Sequence, residues 1–241
     1  NDKGVEALKE FSMELHAGEI VGLAGVDGNG QKELCEVLTG LRPSSGGRIL
    51  LDDQDISGRD PAFYIEQHIS HIPEDRHTTG LAMNWSLKNN LILKQLGREP
   101  VSRHHLVQKK VVEEIWDKAH SEYQIKAISG DDLARALSGG NQQKVILARE
   151  INSDPRVLIA NQPTRGLDVG AAEYVRTKIL EARNSGTSCL LVSADMEELL
   201  QLSDRIAVIY GGQLMGILPR GADPMAIGRL MMGKREQEVG A

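Results

Sequence analysis

The chain contains few of the residues that mark disulfide-rich, fibrous or membrane-spanning proteins. Its 241 residues include two cysteines, two tryptophans, four tyrosines and two phenylalanines. Cys35 and Cys189 lie far apart in apolar contexts, which predicts two buried free thiols in a reducing compartment. No run approaches the roughly 18 apolar residues that a membrane span needs. With 40% hydrophobic and 26% charged residues, the composition is that of a globular protein.

The chain also lacks an excess of basic residues. Lys and Arg number 28 against 34 Asp and Glu, which gives a net charge of −6. Binding dominated by nucleic-acid phosphates is therefore not expected. The first residue is Asn1 rather than methionine, and no signal-peptide pattern follows it. The length predicts one α/β domain, or one domain with an inserted lobe.

Short apolar runs alternate with amphipathic segments, which predicts a parallel sheet covered by helices on both faces. The predicted strands are 18–24, 68–72, 157–160, 188–193, 205–210 and 213–218, with 47–55 as an edge strand of a small antiparallel sheet followed by a polar turn. The predicted helices are 31–39, 141–151, 171–184 and 196–202. The polar tail from residue 233 onwards is predicted to be frayed.

An all-helical lobe is predicted from about residue 84 to 135. Strand signals disappear there, and residues such as Leu87 and Leu91 recur at helical spacing. His104 and His105 are adjacent, and two neighbours on a helix face different ways. No carboxylate or thiol completes a metal site with them, so this pair predicts a solvated face.

A glycine-rich turn follows the first predicted strand. Gly25, four residues and Gly30 fit the frame of a phosphate-binding loop, in which backbone N–H groups and the helix dipole face a polyphosphate. The lysine position of that motif holds Gln31, and the hydroxyl position holds Lys32. The loop therefore keeps its backbone pattern without its two special side chains, and a turn that holds no ligand is the alternative.

A second motif, LSGGNQQK, begins at Leu137, with Ser138 as the predicted N-cap of a helix. It is followed by an apolar strand ending in NQPT and then by RGLD at 165–168. In this order the motifs resemble the nucleotide-binding domain of ABC transporters, over essentially all of residues 1–241. The fold that this implies is α/β: a P-loop ABC ATPase core with an antiparallel β subdomain and an inserted helical lobe.

PEDR at 73–76 and PTRGLDVGA at 163–171 resemble, more narrowly, the C-terminal half of the tandem import ATPases for simple sugars and nucleosides. That resemblance implies a chain excised from a longer two-domain polypeptide. Its partners would be a second ABC ATPase domain and membrane-spanning permease subunits, which would hold it peripherally on the cytoplasmic side of the cell membrane. Trp85 and the Leu87/Leu91 stripe would either face the permease or pack within the lobe.

The resemblance implies a role for each motif. Nucleotide would be bound through Gly25, Val26, Asp27, Gly28, Asn29, Gly30, Gln31, Lys32 and Glu33. The signature, which would contact a γ-phosphate held by an opposite domain, comprises Leu137, Ser138, Gly139, Gly140, Asn141 and Gln142. The remaining family positions are the Q-loop (Glu74), Walker B (Asn161 and Gln162), the D-loop (Asp168) and the switch histidine (Ala194).

Several of these positions depart from the family pattern. Phosphoryl transfer needs a lysine, a metal and a group that orients water, and amides or alanine replace those groups at 31, 161, 162 and 194. ATP is the implied cofactor, whereas Mg²⁺ lacks its usual ligands here. No residue is assigned as catalytic or metal-binding, and this half is predicted to be weak or inactive alone. The intact signature predicts that it completes a partner domain's ATP site.

Two other functions stay open. A soluble ABC-type ATPase acting on ribosomes or DNA is one, although the heptad runs of a DNA-repair ATPase are missing. The other is a nucleotide-sensing or scaffold module without chemistry. The sequence does not identify a transported molecule or an adenine-stacking residue.

Overall fold

The computed structural model of the protein describes residues 4–234. The frayed tail predicted from residue 233 therefore lies, apart from its first two residues, outside the described part. The chain divides into two compact units. The first, which we call the sheet unit, contains Asn1–His71, Arg156–Gln162 and Ile179–Ala241. The second, the helical unit, contains Ile72–Pro155 and Pro163–Lys178.

Strands and helices alternate along the chain as the sequence predicts. The strands are β1 Ile20–Ala24, β2 Leu50–Leu51, β3 Gln54–Asp55, β4 Ile69–Ile72, β5 Ser102–Arg103, β6 Leu106–Val107, β7 Val157–Asn161, β8 Ser188–Val192, β9 Arg205–Tyr210 and β10 Gln213–Pro219. The helices are α1 Gln31–Leu38, α2 Pro61–Glu66, α3 Leu87–Ile92, α4 Lys109–Glu122, α5 Gly139–Ile151, α6 Val169–Asn184, α7 Met196–Leu202 and α8 Pro224–Met231.

A six-stranded sheet with the strand order β10-β9-β1-β8-β7-β4 forms the centre of the sheet unit. Strand β1 runs parallel to both β8 and β9, and β7 runs parallel to β8. Strand β10 returns antiparallel to β9 after the turn at Gly211 and Gly212. Strands β1 and β8 are buried throughout, as expected for parallel strands covered on both faces. The predicted parallel core is thus confirmed.

The antiparallel element of this unit is smaller than predicted. The single edge strand predicted over 47–55 is wrong, because β2 and β3 are two-residue strands that form a hairpin. Asp52 and Asp53 turn the chain between them with φ angles of 48° and 63°. Two left-handed residues in succession make the tight turn that suits a hairpin, so the polar pair divides the predicted edge strand into two short strands.

The helical unit also departs from the prediction at one point. An all-helical lobe over 84–135 is wrong, because β5 and β6 form a short antiparallel hairpin between α3 and α4. His104 and His105 make its turn, with φ angles of 49° and 64°, and both are exposed. They therefore lie on a turn rather than on a helix, although the predicted exposure is confirmed.

The apolar residues singled out in the sequence divide between core and surface. Leu87 and Leu91 are buried in the helical unit, whereas Trp85 is 46% exposed. Cys35 and Cys189 are buried free thiols, as predicted, and burial raises the pKa of each to about 12. Within residues 4–234, no helix is long and apolar enough to cross a membrane.

Candidate functional site

Three loops of the sheet unit start at the carboxyl ends of neighbouring parallel strands. Val192 in β8 pairs with Leu23 in β1 on one side and with Asn161 in β7 on the other. The loop of 25–30 follows β1, Gln162 follows β7 and Ala194 follows β8. Parallel strands end at the same edge of a sheet, so these three loops lie along one edge. Open α/β sheets bind their ligands outside the carboxyl ends of the strands.

The glycine-rich loop has the backbone of a phosphate cradle. Gly28 and Gly30 have φ angles of 87° and 107°, and α1 begins directly after Gly30. A Cβ atom built on Gly30 would lie 2.5 Å from the carbonyl oxygen of Ala7, so a side chain does not fit there. Val26 and Asp27 are exposed at the tip of the loop.

The side chain of Gln31 folds back onto this loop. Its Oε1 accepts a hydrogen bond from the backbone N–H of Asn29 at 3.1 Å, and its Nε2 donates to the carbonyl of Val26 at 3.1 Å. Asn29 Nδ2 donates to the same carbonyl at 2.7 Å, and Asn29 Oδ1 accepts from the N–H of Gly211 at 2.6 Å. Two side-chain amides therefore brace the loop from within.

Lys32 does not replace the missing lysine. Its side chain is 63% exposed, and its Nζ lies 3.8 Å from Glu36 Oε1, one helical turn away. Glu33, in the first turn of α1, is half-buried. The positive charge of Lys32 thus remains on the helix surface.

The structure brings together two further predicted positions. Gln162 has a φ angle of 50°, and its Oε1 accepts a hydrogen bond from the N–H of Ala194 at 3.1 Å. Its own N–H donates to the carbonyl of Val192 at 2.7 Å. Asn161 is buried at the end of β7. An amide at 162 can orient a neighbour, but it cannot take up a proton as a carboxylate does.

Mg²⁺ does not fit the side chains that follow these strands. Magnesium prefers carboxylate and water oxygens in octahedral geometry, whereas positions 31, 161 and 162 offer neutral amides. Among residues 4–234, no group of three or more His, Cys, Asp or Glu side chains could hold a metal ion.

The signature segment lies in the helical unit at the start of α5. Ser138 has the backbone conformation of an N-cap, with φ −63° and ψ 157°, but its side chain makes no capping bond. The predicted N-cap position is therefore confirmed, although Ser138 Oγ instead accepts a hydrogen bond from Asn141 Nδ2 at 3.0 Å. A Cβ on Gly140 would lie 3.1 Å from that of Ala171. Ser138 is exposed, so its hydroxyl is accessible.

Gln142 fixes the signature segment through side-chain hydrogen bonds. It is buried, and its Nε2 donates to the carbonyls of Ala134 and Leu137, both at 3.2 Å. Its Oε1 lies 3.0 Å from His77 Nε2. The amide thereby ties the chain before α5 to the turn after Glu74.

Glu74 and Asp168 also lie in the helical unit. Glu74 forms an ion pair with Arg165, and Arg76 Nη1 donates to the carbonyl of Arg165 at 2.7 Å. Asp168 Oδ1 accepts from the N–H of Ala171 at 2.9 Å, which caps the start of α6. Arg76 and Arg165 therefore join the segment that follows β4 to the segment that precedes α6.

Sequence reasoning assigned no role to Arg76 or Arg165. A Cβ on Gly139 would lie 3.6 Å from Arg76 Nη2, and one on Gly166 would lie 3.5 Å from it. Burial lowers the pKa of Arg76, which Asp75 partly opposes. Each arginine lies within a motif, PEDR or PTRGLDVGA, so the sequence could have singled out both residues. The pairing of Glu74 with Arg165 could not be predicted in this way, because 91 residues separate them.

Comparison with known proteins supports the resemblance. The family model described as "ABC transporter" matches residues 8–165. The chain is 44% identical to the guanosine import ATP-binding protein NupO of Bacillus subtilis, over 99% of this chain and 47% of that protein. It is 40% identical to the nucleoside import ATP-binding protein NupA of Lactococcus lactis, over 96% and 46%.

A glucose import ATP-binding protein of Haloferax volcanii, TsgD13, is 41% identical over 97% of this chain and 43% of its own length. The chain thus spans about half the length of the curated relatives it matches. A nucleotide-free ATP-binding cassette from an ABC transporter superposes with a TM-score of 0.77 at 21% identity, covering 98% of this chain and 93% of that one. A dimeric cassette bound to ADP and Pi gives 0.77 at 18% identity, covering 90% and 92%. The glycine-rich loop, the signature segment and these likenesses agree, and the chain belongs to the ABC transporter family.

Proposed function

We propose that the chain is an ATP-binding component of an importer for simple sugars or nucleosides. Relatives that match nearly all of it are named as guanosine, nucleoside and glucose import ATP-binding proteins. Its partners would be a second ABC ATPase domain, carried on the same full-length chain, and membrane-spanning permease subunits. Through the permease it would lie peripherally on the cytoplasmic side of the membrane.

The further proposal is that this half does not hydrolyse ATP itself. Gln31, Lys32, Asn161, Gln162 and Ala194 stand where the family has its lysine, hydroxyl, aspartate, glutamate and histidine. Loss of a general base alone typically slows a reaction ~10²–10⁴-fold. Groups that act as a unit are not additive, but one such loss already makes turnover at this loop slow.

The role proposed for this half is to supply its signature to the partner's ATP. The observation that carries this role is the contrast between the two units. The nucleotide loop of the sheet unit has Gln31 at the lysine position of the motif, whereas the start of α5 keeps LSGG with an exposed Ser138. N–H groups at the start of a helix attract a phosphate.

The test is Ser138→Arg in the full-length protein assembled with its permease. We expect ATP turnover to fall at least ~10-fold, because a long side chain blocks the approach of phosphate; loss of one donor to a developing charge has an effect on the order of 10²-fold. Stability should change little, since Ser138 Oγ does not cap α5. Ser121→Arg, at an exposed position of α4, is the matched control. Unchanged turnover in Ser138→Arg would refute the shared signature.

A module that only senses nucleotide is the second candidate, and the same replaced residues favour it. It predicts that neither arginine variant alters ATP turnover. Copurification with a polytopic membrane subunit would separate the importer from a soluble ABC-type ATPase.

A further inference from the structure

Side chains of the protein occupy hydrogen-bonding groups of the loop of 25–30 that a bound nucleotide would need. A phosphate cradle works because its backbone N–H groups are free to face oxygen atoms of the ligand. Here the N–H of Asn29, two residues before α1, already donates to Gln31 Oε1 at 3.1 Å. The cradle therefore contains an acceptor that belongs to the protein.

Both ends of the Gln31 amide are engaged, and the side chain is buried. Its Nε2 donates to the carbonyl of Val26, and a Cβ on Gly25 would lie only 2.7 Å from that nitrogen. Gln31 is 8% exposed, although it is the first residue of α1. A side chain so placed is directed into the loop rather than towards an incoming ligand.

We propose that Gln31 sets the nucleotide affinity of this loop by acting as its internal ligand, so that the phosphates of ATP bind only after its side chain is displaced. The proposal rests on the proposed function, because it takes the loop to be a nucleotide site. The proposal also states the direction in which Gln31 changes nucleotide affinity, which the resemblance does not supply. A side chain that contacts phosphate helps binding, whereas an internal ligand competes with it.

The loop does not depend on Gln31 alone for its shape. Asn29 Nδ2 donates to the carbonyl of Val26 and Asn29 Oδ1 accepts from the N–H of Gly211, and neither bond involves Gln31. Gly30 is also held closely against the carbonyl of Ala7. Removing the amide should therefore release the N–H of Asn29 while the cradle remains folded.

The experiment uses the full-length protein and titrates ATP with Mg²⁺. Hydrogen exchange of peptides within 25–34 reports occupancy of this loop, separately from any other nucleotide site. Gln31→Met fills a similar volume without either hydrogen bond. We expect the midpoint, the ATP concentration that gives half of the maximal protection of these peptides, to be at least about fivefold lower than in the wild type. A change of this size is expected for one competing hydrogen bond. Gln31→Lys, which adds a cation, should bind at least as tightly as Gln31→Met.

Gln54→Ala is the control, because it removes an exposed amide from the same unit. It should leave the midpoint unchanged. A weaker or unchanged midpoint in Gln31→Met would overturn the proposal, as would a loop that no variant protects at millimolar ATP. ATP turnover by Gln31→Met should not rise. If turnover at this site rose strongly while binding tightened, the internal ligand would stand and the non-hydrolysing role would fail.

Discussion

Asn90 shows how a single buried polar side chain can organise a loop. It is fully buried at the fourth position of α3. Its Oδ1 accepts from the N–H of Ala82 at 2.8 Å, and its Nδ2 donates to the carbonyls of Ala82 and Ser86 at 3.1 and 3.0 Å. The amide thus satisfies the backbone of the turn that presents the exposed Trp85 in the helical unit.

Replacing Asn90 with alanine should therefore destabilise the protein. The substitution leaves part-buried backbone groups of the 82–86 turn without the Asn90 amide, which costs about 2 kcal/mol in the free energy of unfolding. Urea unfolding at pH 7 measures this loss. Asn89→Ala is the matched control, since Asn89 is the exposed neighbour on the same helix and its replacement should change stability by less than about 0.5 kcal/mol. Equal midpoints for the two variants would contradict this role.

At the scale of residues, the sequence predicts which positions matter better than where their side chains point. The loop positions 25–30 follow from glycine spacing alone. The inward direction of Gln31 does not, because a glutamine at the start of a helix fits solvent, phosphate or loop backbone equally well. Which of them it contacts depends on the fold around Gly25 and Val26.

Helix α5 is an element held by charge as well as by apolar packing. Glu150, near its end, is fully buried and lies 2.5 Å from Lys94 Nζ and 2.8 Å from Arg149 Nε. Burial alone would raise the pKa of this carboxyl, but the two cations lower it below its usual value. Arg149 Nη1 is buried and has no hydrogen-bond partner among the described residues.

Glu150→Gln should destabilise the helical unit in a pH-dependent manner. At pH 7 we expect a loss of about 3 kcal/mol, because the cations lose their buried counter-charge. The folded pKa lies below the unfolded value of about 4.3. The contribution is therefore present above that value, and it is lost as the pH falls through the folded pKa. The difference between wild type and variant should shrink below about pH 4.

Urea unfolding from pH 7 down to acid measures this difference. Glu114→Gln is the control, because its pair with Lys110 is exposed and spans 3.9 Å on α4; its effect should stay under about 0.5 kcal/mol. A Glu150→Gln difference that is constant over the whole pH range would show that the carboxylate charge is not what stabilises α5.

At the scale of elements, long and strongly patterned segments are predictable and short hairpins are not. Strands β1 and β8 are continuous apolar runs, and α5 begins with the glycine pair of the LSGG motif, so the predicted bounds of each agree with the structure within two residues. The hairpins β2–β3 and β5–β6 have two-residue strands, too short for an alternating pattern. The turn of β5–β6 uses two histidines in place of the usual asparagine and glycine.

At the scale of the whole molecule, the replaced residues fit the fold. Asn161 keeps the size of an aspartate at the buried end of β7, and Gln162 keeps the size of a glutamate while accepting from Ala194. An amide at either position is neutral and lacks the basicity of a carboxylate. The family fold and the proposed loss of hydrolysis are thus compatible in one chain.

If several groups are missing together, restoring one should not restore chemistry. We predict that Gln162→Glu raises ATP turnover by less than about twofold. The measurement is made in the Ser138→Arg background, in which turnover at the proposed partner site is already reduced. The reason is that a water-orienting glutamate has no effect without the lysine and metal charge that the transferring phosphoryl group needs.

A variant that also carries Gln31→Lys, Lys32→Ser, Asn161→Asp and Ala194→His, in the same background, is the positive comparison. It should turn over ATP faster than Gln162→Glu, because it returns the charges together with the base. A rise of about 100-fold or more from Gln162→Glu alone would mean that only the base was missing, since a base typically contributes ~10²–10⁴-fold. In that case this half would already hold its ATP in a reactive geometry, and its role would be that of a nearly complete ATPase.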